Sequence, residues 1–223
     1  MSSLTKDLWK RTGADEMGDN AMALAVGFFF TCAVGVLTAG TVASYGWQFS
    51  WLLLIGTFLG AIAGIFIFTL SSNSLVSFVG VSLMSGCLGL MVGPAVASYH
   101  VEVIIKALVI TAGITATMSV LGIMFPKTLE NFGGLLLAGL ILLIVGNLVR
   151  AFLPMLGIHG DSLGILDWIG AGIFTTYIWY DWGRAMRLPH TVDNAIDASG
   201  ALVLDVANLF LNIVRILSGT NRD

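Results

Sequence analysis

The chain has 223 residues, 57% of them hydrophobic and only 10% charged, with a net charge of −3. Soluble domains carry about 25% charged residues, so a water-soluble fold is excluded, and the small acidic balance offers nothing to nucleic acid. Mean hydropathy is +0.94, and no Asp, Glu, Lys or Arg occurs from Ala21 to Val101.

Residues 1–20 read as a polar cytoplasmic tail. Lys6, Lys10 and Arg11 are mixed there with Asp7, Asp15, Glu16 and Asp19, which is not the pattern of a cleavable signal. A spanning helix needs about 20 apolar residues. Turn residues cut the rest into seven such pieces, at 21–45, 51–70, 75–99, 103–125, 132–153, 163–184 and 198–217. The first break is GWQFSW, with Trp47 and Trp51 as interfacial anchors. SSNS follows at 71–74, then the stretch around His100 and Glu102, then Pro126-Lys127. The last two breaks are the loop around Pro154, Gly157, His159 and Asp161, and the polar run from Met186 to Asp197. The expected fold is therefore all-α and integral to the membrane, with a seven-helix bundle over 21–217 and a short tail at 218–223.

Lys and Arg accumulate on the cytoplasmic side of membrane proteins. With the N-terminus inside, that side holds Lys6, Lys10, Arg11, Lys127, Arg184 and Arg187, against Lys106, Arg150, Arg215 and Arg222 outside. The expectation is N-terminus cytoplasmic and C-terminus outside. Gly56, Gly60 and Gly64, and then Gly86, Gly89 and Gly93, give the second and third helices faces of nearly bare backbone for close packing. Pro94 is expected to kink or break the third helix.

The last apolar piece, ALVLDVANLFLNIVRIL, contains Asp205. A carboxylate at bilayer depth costs roughly 2.5–3.5 kcal/mol, which makes it a functional candidate by default. Asp205, Asn208, Asn212 and Arg215 are spaced i, i+3, i+7 and i+10, so they share one helix face. Lipid cannot solvate that face, so this helix must be enclosed by others or line water. Asp181 ends the sixth piece, six residues before Arg187, while Asp205 lies eight after Asp197. Both are then about 10 Å from the shared loop, and the antiparallel helices can bring the carboxylates to one level. Two such carboxylates cannot easily both be ionised. Sharing a proton, they hold two helices together; doubly ionised, they repel and present the hard oxygens that Ca2+ prefers.

Plainer readings stand beside this one. Asp181 at the interface pairs with Arg184 at i+3; Asp205 is a structural carboxylate; Asn208 and Asn212 are interhelical glue. Arg215 snorkels to the outer interface, and Asp167 answers its helix dipole. Glu102 and Lys106 neutralise each other at i, i+4. Tyr177, Trp179, Tyr180 and Trp182 form an aromatic belt. His100, His159 and His190 are too dispersed for a metal site, with His190 placed to modulate a pH response near Asp181. Cys32 and Cys87 are small residues of apolar helices.

Tyr180-Asp181, followed 24 residues later by Asp205 in the run Ala201, Leu204, Asp205, Asn208, Leu209, Phe210 and Arg215, resembles the Bax inhibitor-1 (transmembrane Bax-inhibitor-motif) family, in particular its bacterial YccA-type members. LMVGPAVASY with Gly93-Pro94, then Ala107 and Thr111-Ala112, is similar to a second block of that family, and the resemblance covers about residues 21–217. It implies six helices in two layers around a central seventh. It also implies a pH-sensitive Ca2+ leak with Asp181 and Asp205 as the proton-sensing pair. Eukaryotic members suppress cell death, and some bacterial members interact with a membrane-bound ATP-dependent protease. Two departures are visible: YDWG replaces the usual YDTQ-like run, and no arginine is present in the first three helices to hold the pair. A cation from Arg184 or Arg187, or less plausibly Lys106, must serve, or the proton alone.

The resulting expectation is a pH-sensitive leak or Ca2+/H+ transporter of the bacterial cytoplasmic membrane. Asp181 and Asp205 are the proton and weak Ca2+ site, supported by Asn208, Asn212, Arg184, Arg187 and Arg215. No cofactor is expected beyond Ca2+ as transported ion, and the partners are the lipid bilayer, Ca2+ and protons. The rival is a non-conducting regulator of a membrane protease or stress response, working through residues 1–20. An intramembrane diaspartyl protease is disfavoured because Asp205 follows Val203-Leu204 rather than a glycine-rich turn, so no enzyme is expected.

Overall fold

The structure is a computed structural model that describes residues 16–48, 50–152 and 164–220. The expectations for residues 1–15, for Pro154, Gly157, His159 and Asp161, and for Arg222 lie outside these residues.

The described residues form seven long α-helices and no strand: α1 (Asp19–Ser44), α2 (Trp51–Leu70), α3 (Ser74–Val96), α4 (Val101–Met124), α5 (Gly133–Phe152), α6 (Ile165–Ala185) and α7 (Val192–Thr220). A 3-10 turn, Glu130–Phe132, precedes α5. The shortest helices have 20 residues, about 30 Å of rise, which matches a hydrocarbon core. Six of the seven are long and apolar enough to cross a membrane. The exception is α6, whose 21 residues include Asp167, Asp181 and Arg184. Leucines such as Leu24, Leu52 and Leu142 project outward, more than two-thirds exposed, a surface that only lipid satisfies. The chain is an all-α integral membrane protein.

The helix boundaries follow from local chemistry. Asn73 caps α3, its side-chain oxygen accepting from the backbone N–H groups of Leu75 at 2.9 Å and Val76 at 3.4 Å. Pro94 lies in the last turn of α3, which ends at Val96 rather than at residue 99. A proline there removes one late backbone bond and stops the helix.

The largest difference from expectation is at α7. It begins at Val192, so Asp193, Asn194 and Asp197 belong to a helix and not to a loop. Thr191 is the cap, its Oγ1 accepting from the Asn194 N–H at 3.2 Å. The polar run that mimics a loop in the sequence is bonded both to α3 and within itself. Ser77 Oγ donates to Asp193 Oδ1 at 2.7 Å, and Asn194 Nδ2 donates to the Pro189 carbonyl at 2.7 Å.

The fold separates into two compact units. The first comprises residues up to Ser98 together with Asp181–Leu204. Here α3 packs against both α1 and α2, and the glycine faces decide how closely. A Cβ at Gly64 would lie 2.7 Å from both the Gly80 carbonyl and the Met84 N–H nitrogen, and one at Gly89 would collide with the backbone of Leu37, Gly40 and Thr41. The core joins Ala33, Ala61, Phe68, Val81 and Met84 to Ile196 and Val203 of α7.

The second unit comprises Tyr99–Tyr180 and Asp205 onward. In it α5 runs antiparallel to α6: Gly133 lies against Tyr180, Gly139 against Ile173 and Gly146 against Leu166. Gly170 of α6 lies against the side chain of Asn212 of α7, where a Cβ would come within 2.7 Å of Oδ1. The expected Glu102–Lys106 pair forms at 2.7 Å on the exposed start of α4.

Candidate functional site

In the first unit, the C-terminal turn of α6 faces the second and third turns of α7. Asp181, Arg184, Ala185 and Leu188 line one small pocket with Asp197, Ala198 and Ala201. Asp181 is 8% exposed and Asp197 only 2%. The pocket lining thus combines one cationic residue with two buried carboxylates, opposite charges that offset part of the cost of burial. Of Arg184, Arg187 and Lys106, Arg184 is the one that lines this pocket. Arg187 follows in the turn that ends α6, where its N–H donates to the Arg184 carbonyl at 3.0 Å, and it is not among the residues lining this pocket.

Asp197 was not anticipated as a site residue. The signal was present in the spacing: Asp197, Ala201 and Asp205 stand at i, i+4 and i+8, one face of one helix. Reading residues 186–197 as loop conceals it. The same correction alters the depth argument for Asp181. Counting from a loop ending at Asp197 does not set the levels; the pocket does, because it brings Asp181 beside Asp197–Ala201.

Asp205 opens the second unit's share of α7 and is 7% exposed. Below it the expected polar face is present, with a different partner. Asn212 Nδ2 donates to the Asn208 carbonyl at 2.8 Å, and Arg215 Nη2 donates to Asn212 Oδ1 at 2.8 Å. Arg215 Nε donates to Asp167 Oδ1 at 2.6 Å, while Arg150 Nη1 donates to Asp167 Oδ2 at 2.9 Å. Asp167 is 3% exposed. Two expectations are corrected here. Arg215 does not snorkel away, and Asp167 is more than a helix-dipole residue: it receives a guanidinium on each oxygen. Such charge-assisted bonds are worth about 1.5–3 kcal/mol each. The residues are 17 and 48 positions apart, so no sequence spacing reveals the cluster.

His190 lies in the α6–α7 connection, as expected near the Asp181 end of α6. Its ring contacts Met17, Asp19 and the Met186 carbonyl. Among the described residues no three His, Cys, Asp or Glu side chains gather into a metal-holding group.

The profile of the family described as inhibitor of apoptosis-promoting Bax1 matches residues 20–223. A BI1-like protein of Arabidopsis thaliana is 30% identical over 145 residues, which is 64% of this chain and 55% of the plant protein. Bax inhibitor 1 of Saccharomyces cerevisiae is 28% identical over 136 residues, 56% of this chain and 44% of the yeast protein. The modulator of FtsH protease YccA of Escherichia coli strain K12 is 26% identical over 174 residues, 76% of this chain and 77% of that protein. The match spans about half the length of the plant and yeast relatives and about three-quarters of the bacterial one. With buried carboxylates at the end of α6 and within α7, and a profile match across nearly its whole length, this chain belongs to the Bax inhibitor-1 family.

Proposed function

We propose that the protein is a proton-controlled cation leak in which Asp181 and Asp205 form the sensing pair and Ca2+ is the ion that passes. The observation that carries this reading is the pocket holding Asp181. It buries the carboxylate beside Arg184 and Asp197 at the level of Ala201, and Asp205 lies one turn further along the same face of α7. Protonation removes a charge from this apolar surround and lets the helices close. Deprotonation leaves like charges in repulsion and a set of hard oxygens suited to a divalent cation. The ion is cargo, held weakly, and Arg184 limits the net negative charge it meets. The assigned setting is a bacterial cytoplasmic membrane, with the N-terminus inside.

The test is Ca2+ flux into liposomes across a pH series, comparing wild type with Asp181→Asn and Asp205→Asn. Each substitution fixes one member neutral, so each is expected to flatten the pH response. Flux that keeps the wild-type profile in both variants would sink the pair.

A second reading, a non-conducting regulator of a membrane protease, is supported by the similarity to the Escherichia coli modulator of FtsH protease. It predicts that deleting residues 1–20 abolishes a protease-dependent phenotype and leaves flux unaltered.

A further inference from the structure

Residues 16–19 and the α6–α7 connection meet through one histidine. The Met17 N–H donates to the His190 carbonyl at 2.8 Å. His190 Nδ1 lies 3.1 Å from the Met17 carbonyl, and Nε2 lies 3.3 Å from the Met186 carbonyl. Asp19 Oδ1 is 3.5 Å from Nδ1. Both ring nitrogens therefore face acceptors. A neutral imidazole has one N–H to give, so either tautomer leaves one carbonyl facing a lone pair. An imidazolium donates to both and is drawn to Asp19 as well.

We propose that residues Met17–Asp19 are a strap that the protonated His190 ring fastens to the α6–α7 connection, and that loss of the ring proton releases it. Binding of the strap and binding of the proton favour each other, because each is stronger in the presence of the other. The connection joins Arg184 of α6 to Asp193 and Asp197 of α7, so fastening it restrains both walls of the Asp181 pocket. The charged groups around the contact are few. Glu16 and Asp19 belong to the strap side, Arg187 to the connection, and Asp193, already bonded to Ser77, to the start of α7. Residues 21–98 of α1–α3 bring no Asp, Glu, Lys or Arg. Asp19 is 94% exposed at its side chain, so water and salt screen its attraction and the two carbonyls carry most of the preference. The strap goes beyond the leak reading and does not require it, since its readout is protection of a backbone amide and not flux.

The experiment uses the full chain in lipid nanodiscs. The protection factor of the Met17 amide is measured by hydrogen exchange from about pH 5.5 to about pH 8. Wild type is expected to lose roughly tenfold in protection as pH rises, the scale of one charge-assisted hydrogen bond. His190→Gln, neutral throughout, is expected to show no such change. Asp19→Asn is expected to retain most of it. Nitrogen NMR of the wild-type ring supplies a second measure, with both nitrogens protonated when the strap is protected. A protection factor that is flat in wild type, an unchanged response in His190→Gln, its complete loss in Asp19→Asn, or a singly protonated ring in the protected state would each overturn the proposal.

Discussion

Asp167 is held on both oxygens by guanidiniums from two other helices, and the consequence can be measured by a single isosteric change. Asp167→Asn keeps the shape and removes the charge that Arg150 and Arg215 both contact. Breaking a buried ion pair by deleting one partner costs about 3–5 kcal/mol. The Arg150 and Arg215 side chains are 28% and 33% exposed, so the lower end, about 3 kcal/mol, is expected. Thermal unfolding in detergent should show a drop of several degrees for this variant. Glu102→Gln makes the contrast. It breaks the Glu102–Lys106 pair, whose side chains are 58% and 77% exposed, and exposed pairs contribute little, so the midpoint should not move. Equal shifts in the two variants would mean that the Asp167 cluster is not a stabilising network.

The helices themselves were largely legible, because long apolar runs punctuated by proline, glycine and polar turns have one physical solution in lipid. Where the reading failed, it failed at polar residues. The run from Met186 to Asp197 looks like loop because its composition is that of loop; the Thr191 cap and the bond from Ser77 of α3 to Asp193 mark the start of α7 at Val192. Asp181 and Asp205 stand out as isolated charges, whereas Asp167 reads as a helix-dipole residue and Arg150 as an outer-side charge because their partners are remote in sequence. The glycine faces were legible in outline but not position by position. A Cβ at Gly56 would meet open space, while one at Gly89 would strike the backbone of α1. Gly89→Ala is therefore expected to destabilise the first unit by about 1–3 kcal/mol through overpacking, and Gly56→Ala to be neutral or slightly stabilising through helix propensity. Comparing the detergent unfolding midpoints of the two variants checks this, and a Gly89→Ala protein as stable as wild type would show that α1 and α3 are free to separate.

At the scale of the molecule, the undecided element is α6. It is as long as a span requires, 21 residues, yet its composition falls short of the six helices that cross by apolarity alone. Its charges do not forbid crossing. Asp167 is neutralised by guanidiniums on α5 and α7, and Asp181 sits in a pocket with Arg184 and Asp197, so neither presents a bare charge to lipid. The last span is the most enclosed of the six, 56% buried against 11–39% for the others, as befits a helix whose polar face must find protein. These facts favour seven crossings, and an odd number places the two ends on opposite sides. The check is a membrane-impermeant maleimide applied to intact and inverted vesicles, with Cys32 and Cys87 replaced by alanine. A cysteine at position 16, in place of exposed Glu16, should label from the cytoplasmic face, and one appended after Asp223 from the other. Labelling of both from one face would mean that α6 lies along the interface. Asp181 would then be within reach of bulk water, and the proposed sensing pair would lose the burial on which the proposal depends.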